Sequence, residues 1–199
     1  MIVYFSKARI SEPLIFNMTA ITKLNKAVFL DRDGVVNELI IRGNWFSSPR
    51  VLSEFKIFPK AYEAIKLLRS SGFLSIVATN QPDIARGQLS EVDLKLMHEF
   101  MIQELGLNAA YFCPHGNDGD CDCRKPEWGM IKRAMQEFYV DPAKSFVVGD
   151  RWRDIDMGTN AGCKTILIET EATKMEKRDI KSDFIAANIL EAANWIIHN

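Results

Sequence analysis

"FLDRDGVVN", residues 29–37, ends an apolar run on two carboxylates, Asp31 and Asp33, one residue apart. Like charges this close are costly to hold away from water unless a cation or a proton lies between them. The stretch therefore reads as the end of a buried strand, "KAVFLD" (26–31), opening onto a charge-compensated site. At i and i+2 the two carboxylates address one small volume only if the chain leaves strand geometry after Asp31, and Gly34 eases that turn. Taken alone, D-x-D-G fits two chemistries: an aspartate capping a turn, or oxygen ligands for a hard cation such as Mg2+ with a phosphate beside it.

Outward from this stretch, short apolar runs alternate with helical periodicities. "FLSIVAT" (73–79), "AAYFC" (109–113), "SFVVGD" (145–150) and "KTILIE" (164–169) read as strands. Helices are expected over 61–72, 90–106, 127–140, about 153–162 and 186–198, with Gly72 and Gly106 as stops and Ser90 and Asp93 as a capping-box-like start. Residues 38–58 read as a loop, long enough to suggest function. The pattern predicts an α/β, Rossmann-like fold with a mainly parallel sheet and helices on both faces. Ligands in such folds collect beyond the carboxyl ends of the strands. Polar chemistry follows each of the first four strands in turn: Asp31 to Gly34, then Thr79-Asn80-Gln81, then a Cys/His loop ending in Arg124-Lys125-Pro126, then Gly149-Asp150-Arg151. One sheet edge thus gathers all of it.

The chain of 199 residues is 47% hydrophobic, which suits one domain with a real core, and its net charge of -1 argues against a broad nucleic-acid-binding face. No apolar run is long enough to span a bilayer, and Lys7, Arg9 and Glu12 interrupt any secretory h-region. Residues 1–25 are expected to be an N-terminal extension and 26–199 the domain. Three of the four cysteines, Cys113, Cys121 and Cys123, fall within eleven residues together with His115. Three thiolates and an imidazole make a closed tetrahedral zinc set, structural rather than catalytic. That use of cysteine points to a reducing, cytoplasmic setting. Cys163 reads as a packed core residue.

The remaining residues of the edge suit phosphoryl transfer, in which fixed donors and cations meet the charge developing on phosphoryl oxygens. Thr79 offers a hydroxyl, Lys125 a point charge and Asp150 a hard oxygen ligand. In this order, over residues 27 to about 168, "FLDRDGVVN", "VATN", "RKP" and "VVGDRWRDI" resemble the four motifs of the haloacid dehalogenase (HAD) superfamily of phosphatases. The resemblance implies Asp31 as a nucleophile forming an aspartyl-phosphate. It implies Asp33 as the group that protonates the leaving oxygen and then activates water, with Thr79 and Lys125 holding the phosphoryl group. Mg2+ would be bound by the Asp31 carboxylate, the Asp33 backbone carbonyl and Asp150, with Asp154 behind them. The positive partners of the two opening carboxylates would then be Mg2+ and Lys125.

"CPHGNDGDCDC" (113–123), followed by R-K-P, together with "TNQ" and "ARG" (85–87), is similar to the heptose-1,7-bisphosphate phosphatase and histidinol-phosphatase branch. By that resemblance Arg124, Asn80, Gln81 and Arg151 would bind substrate. The sequence departs from the branch at Val35, at Pro82 and in "LIIRGNW" (39–45), and the metal loop is short between His115 and Cys121. The 45 residues between Asp33 and Thr79, and the 45 between Thr79 and Lys125, leave no room for a separate cap domain. The expectation is a monomeric Mg2+-dependent phosphatase of a small phosphorylated sugar, with heptose 1,7-bisphosphate ahead of histidinol phosphate. The reading from a different class is a catalytically idle, zinc-stabilised interaction module.

Overall fold

The computed structural model describes residues 2–5, 24–117, 120–175 and 178–199. A seven-stranded sheet runs through the molecule in the order β1-β6-β5-β2-β7-β8-β9. Its strands are β1 (Ile2–Phe5), β2 (Ala27–Leu30), β5 (Leu74–Asn80), β6 (Ala109–Cys113), β7 (Phe146–Gly149), β8 (Lys164–Ile168) and β9 (Phe184–Ala186). All neighbours pair parallel except β1, which lies antiparallel along β6, Ile2 opposite Phe112. β3 (Ile40–Arg42) and β4 (Trp45–Ser47) form a separate hairpin.

Residue alternation assigns the helices to two faces. Val28 and Leu30 of β2 face a core that takes in Ala61, Ile65 and Leu68 of α1 (Pro59–Ser70), Leu94, Met97 and Met101 of α2 (Glu91–Leu105), and Ile189 and Ile196 of α6 (Ile189–Ile196). Ala27 and Phe29 face the other, with Met130, Ile131 and Phe138 of α3 (Gly129–Phe138) and Met157 of α4 (Trp152–Ala161). Both faces of β2 are covered, as a parallel strand requires. Helix α4 packs tightly on the sheet at Gly158, where a Cβ would lie 2.7 Å from Thr165 and 2.9 Å from Val147. The short α5 (Glu171–Lys174) follows β8.

The expected doubly covered parallel sheet is present, with differences at the margins. Of the expected extension, residues 2–5 form an edge strand, while residues 6–23 lie outside the described residues. The expected loop 38–58 contains the β3–β4 hairpin, whose strands are too short and too exposed to leave an alternating pattern. The expected helix 186–198 begins at Ile189, because Phe184–Ala186 joins the sheet and the Asn188 side chain caps the backbone N–H groups of Leu190 and Glu191. Helix α2 is as read, with Ser90 accepting from the Asp93 N–H and Gly106 turning the chain left-handed at φ 65°.

Candidate active site

The carboxyl ends of β2, β5 and β7 face one cavity of about 340 Å³, lined by Asp31, Asp33, Thr79, Asn80, Arg124, Lys125, Asp150, Arg151 and Asp154 among others. Asp31 follows β2 directly, its N–H donating to the Val148 carbonyl at 2.9 Å. Gly34 then turns the chain at φ +91°, and a Cβ there would stand 2.7 Å from Asp150 Oδ2, so glycine is needed for conformation and for space. Gly149 is tighter still: its Cβ would overlap the Asp154 side chain at 2.1 Å. These two glycines let the loops after β2 and β7 close on each other.

Lys125 is buried at the centre. Its ammonium donates to Asp31 Oδ1 at 2.7 Å, to the Ala78 carbonyl at 3.0 Å and to Asp154 Oδ1 at 2.5 Å. Burial works against its charge, but the Asp154 and Asp31 carboxylates outweigh burial and raise its pKa above the ordinary lysine value. The loop that carries it is fixed to β5 by the Asn80 amide, which accepts from the Lys125 N–H at 3.0 Å and donates to the Lys125 carbonyl at 3.3 Å.

Asp31 and Asp33 live in opposite environments. Burial raises Asp31 to a pKa of about 6; Lys125 opposes this, and the charges of Asp154 and Asp33 add to it. Asp33 is also buried, yet its pKa is lowered by the fully buried Arg32, and by Asn37 and Gln81. Arg32 donates to it twice, from Nε at 3.1 Å and Nη2 at 2.9 Å, Asn37 Nδ2 donates at 3.0 Å, and Gln81 Nε2 at 2.8 Å. A third Arg32 nitrogen lies 3.3 Å from His98 Nε2. Burial and the Arg32 charge hold the His98 pKa well below its usual value, so the imidazole is neutral and accepts.

Asp150 carries the least compensated charge. Burial, then Asp31 and Asp154, push its pKa well up. Its Oδ2 accepts from Thr170 at 3.3 Å, while Oδ1 is buried with no hydrogen-bond partner. The carboxylates of Asp31, Asp150 and Asp154 each offer an oxygen within 4.8 Å of the others, with Lys125 between Asp31 and Asp154 and Arg151 3.7 Å from Asp150 as cations. A bare buried acceptor in a group of three acids is what a hard divalent cation satisfies.

The second cluster lies on the loop after β6. Cys113 Sγ is 3.4 Å from His115 Nδ1 and 3.7 Å from Cys121 Sγ; Cys123 Sγ is 3.5 Å from His115 Nδ1 and 3.7 Å from Cys121 Sγ. Tetrahedral zinc, with Zn–S of about 2.3 Å and Zn–N of about 2.0–2.1 Å, requires edges of roughly 3.8 Å for S–S and 3.6 Å for S–N. The donors fit. Cys163 is separate and buried, its pKa pushed up to about 12 by burial.

The residues singled out in the sequence thus fall into these two groups. Thr79 is buried and accepts from Gln81 Nε2 at 3.0 Å; Gln81 is itself buried and anchors Asp33 rather than facing the cavity. Arg124 donates to the His115 carbonyl at 2.9 Å and to Asn117 Oδ1 at 2.6 Å, so it helps hold the cysteine loop. Arg151 lies 3.7 Å from Asp150 through Nε. One expectation is corrected: Lys125 partners Asp31 and Asp154, and the cation beside Asp33 is Arg32. Sequence reasoning missed Arg32 and Asn37, and it set Asp154 too far back.

A sheet with this order, closing on an aspartate pair, a buried lysine and a third strand-end aspartate, defines a HAD-like hydrolase. The HAD-hydrolase-like family model matches residues 122–192. The chain is 32% identical over 180 residues to D-glycero-beta-D-manno-heptose-1,7-bisphosphate 7-phosphatase of Haemophilus influenzae, covering 84% of this chain and 95% of that one. It is 34% identical over 185 residues to the Pasteurella multocida enzyme of the same name, covering 87% and 97%. Among solved structures, D,D-heptose 1,7-bisphosphate phosphatase of B. bronchiseptica, complexed with magnesium and phosphate, superposes with a TM-score of 0.73 at 29% identity, covering 87% of this chain and 98% of that one. The chain belongs to the heptose-1,7-bisphosphate 7-phosphatase family of HAD-like hydrolases, and it is a phosphatase.

Proposed function

We propose that this chain removes the C7 phosphate of D-glycero-D-manno-heptose 1,7-bisphosphate through an aspartyl-phosphate on Asp31. The observation that carries the reading is the geometry around Asp31: a carboxylate at a strand end, 2.7 Å from a buried ammonium and beside the unpartnered Asp150 Oδ1. Asp31, Asp150 and the Asp33 carbonyl would hold Mg2+, which supplies positive charge to the nucleophile and the phosphoryl oxygens. Lys125 and the Thr79 hydroxyl hold the transferring group from the other side. Asp154 fixes the Lys125 ammonium and, through Oδ2, accepts from the Arg151 N–H at 3.1 Å, which ties the lysine to the start of α4.

Asp33 is the acid and base of this reading. Four donors fill its carboxylate in the pose described. Donating a proton to the leaving oxygen therefore requires its side chain to turn from Arg32 toward the cavity. Asn80, Arg124 and Arg151 line the cavity as substrate contacts. Gln81 acts through Asp33.

Cys113, His115, Cys121 and Cys123 would hold a structural Zn2+, and Arg124, bonded to the His115 carbonyl, couples that loop to the cavity. Residues 26–199, with the edge strand Ile2–Phe5 added to their sheet, form the phosphatase domain, working as a cytoplasmic monomer on a small phosphorylated sugar, without nucleic acid. No helix among the described residues is long and apolar enough to cross a membrane.

The test is phosphate release with Mg2+ from heptose 1,7-bisphosphate, histidinol phosphate and a 3'-phosphorylated oligonucleotide, with Asp31→Asn as control. Preferred turnover of the bisphosphate, lost in the variant, is the expected result. Preference for histidinol phosphate would move the substrate. Zinc-loaded, folded protein with no turnover of any ester would favour the interaction module.

A further inference from the structure

The β3–β4 hairpin gives the cavity one of its walls, through Phe46, Ser47 and the adjoining Ser48, and the loop after β5 gives another, through Pro82, Asp83 and Arg86. Apolar packing does little to hold the hairpin in place: Ile41 and Trp45 are exposed, as are Val51 and Leu52 where the chain leaves it. Polar ties hold it instead. Arg42 Nη2 donates to Glu54 Oε2 at 2.5 Å, and the same oxygen accepts the Arg50 N–H at 2.9 Å. The Arg50 side chain then crosses to the loop after β5, where Nε donates to Asp83 Oδ2 at 2.9 Å and Nη2 reaches Gln88 Oε1. Among the described residues, the side-chain hydrogen bonds that join residues 40–51 to the chain beyond Glu54 all come from Arg50.

The receiving end is firm. Asp83 is buried, and its backbone carbonyl accepts the N–H groups of Gln88 and Leu89 at 2.8 and 3.1 Å, which closes its own loop. Its other carboxylate oxygen, Oδ1, takes Arg86 Nη1 at 3.1 Å. Both oxygens are thus spent on guanidiniums, so Asp83 lines the cavity without an acceptor to spare for a substrate. A charge-assisted bond to a buried carboxylate is stronger than a neutral one and directional, and this one spans 33 residues of sequence to fasten one cavity wall to another.

Resting on the phosphatase reading above, we propose that Asp83 is a positioning residue: through Arg50 it fastens the β3–β4 hairpin to the loop after β5, so that Phe46, Ser47 and Ser48 stand as a fixed wall against the body of the substrate.

The test reads the hairpin and the reaction separately. In hydrogen exchange, Arg50→Met and Asp83→Asn should each speed amide exchange over residues 40–51 about ten-fold, the loss of one charge-assisted bond. Arg86→Ala, which removes the other guanidinium from Asp83, should leave that exchange unchanged. In turnover of heptose 1,7-bisphosphate with Mg2+, Arg50→Met and Asp83→Asn should raise KM about ten-fold with kcat little altered, the signature of lost binding. The double variant should be no worse than either parent variant, because both remove the same tie, and Arg50→Lys should recover part of the KM. A general loss of stability would produce neither result. Additive effects, a fall in kcat as large as the rise in KM, or faster exchange with KM unchanged would overturn the inference. Should the unmutated enzyme prefer histidinol phosphate, KM is read on that ester: the heptose is then retired, and the tie stands or falls on the same variants.

Discussion

Replacing Asp150 by asparagine should stabilise the metal-free protein while removing its response to Mg2+. The carboxylate is buried, Oδ1 has no partner, and Asp31 and Asp154 both repel it. Asparagine keeps the shape and can still accept from Thr170, which now meets Oδ2 at 3.3 Å. The scale comes from Asp31, whose pKa of about 6 against an ordinary 3.8 corresponds to about 3 kcal/mol lost by ionised Asp31 on folding. Asp31 has Lys125 at 2.7 Å to offset its burial, whereas Asp150 has Arg151 at 3.7 Å and, with less effect, Lys125. A gain of about 2–3 kcal/mol at pH 7.5 is therefore expected, equivalent to roughly 5–10 °C in Tm for a chain of this length. Thermal unfolding with a chelator and with Mg2+ reads both effects. The unmutated protein should rise in Tm with Mg2+, and Asp150→Asn should start higher and stay there. A metal-free variant less stable than its parent would refute the charge argument, and equal Mg2+ stabilisation of both proteins would refute Asp150 as a ligand.

Two further outcomes follow from the same charges and thiols. A folded-state pKa raised above its unfolded value favours the folded state at low pH, and the benefit fades as pH climbs through the folded pKa. Asp31 should therefore make the metal-free protein less stable by up to about 3 kcal/mol as pH rises from about 4 to about 6. Asp33, with its lowered pKa, acts oppositely and only at the acid end. Urea unfolding with a chelator at pH 5 and 7.5 captures about half of this difference, and Asp31→Asn should reduce it, leaving the dependence that Asp150 contributes in the same direction. Cys121→Ser should lower zinc content from one ion per chain toward none and make residues 113–125 exchange amide hydrogens faster, as read by metal analysis and hydrogen exchange.

How much of this was legible from sequence depends on where the information sits. Parallel strands with both faces covered leave continuous apolar runs, so β2, β5, β6 and β7 could be read, and with them the edge that collects the polar residues. The cysteine loop was legible because its ligands are local in sequence. The hairpin strands and β1 were not, being short, exposed or set at an edge. The individual pairings were also hidden. Asn80 clasps the Lys125 backbone from 45 residues away, and Asp83 pairs with both Arg50 and Arg86. Contacts of that kind belong to the folded arrangement and have no spacing that announces them.

The opening pair of aspartates makes the point most sharply. Nothing in D-R-D-G says which acid meets which cation, yet that choice separates their chemistry. Asp31 is buried, takes the lysine and shares its cavity with two other acids, so its pKa rises, a shift that a bound cation would offset. Asp33 takes the arginine between them, and so remains ionised and fully hydrogen-bonded. Neighbouring carboxylates driven apart in this way suit different tasks. In the proposed cycle the latched pose of Asp33 is a base awaiting a proton from water, and the turn away from Arg32 is what would let it act as an acid. His98, neutral against Arg32, then has a definite role: it accepts an N–H of the guanidinium without adding a charge that would compete for Asp33.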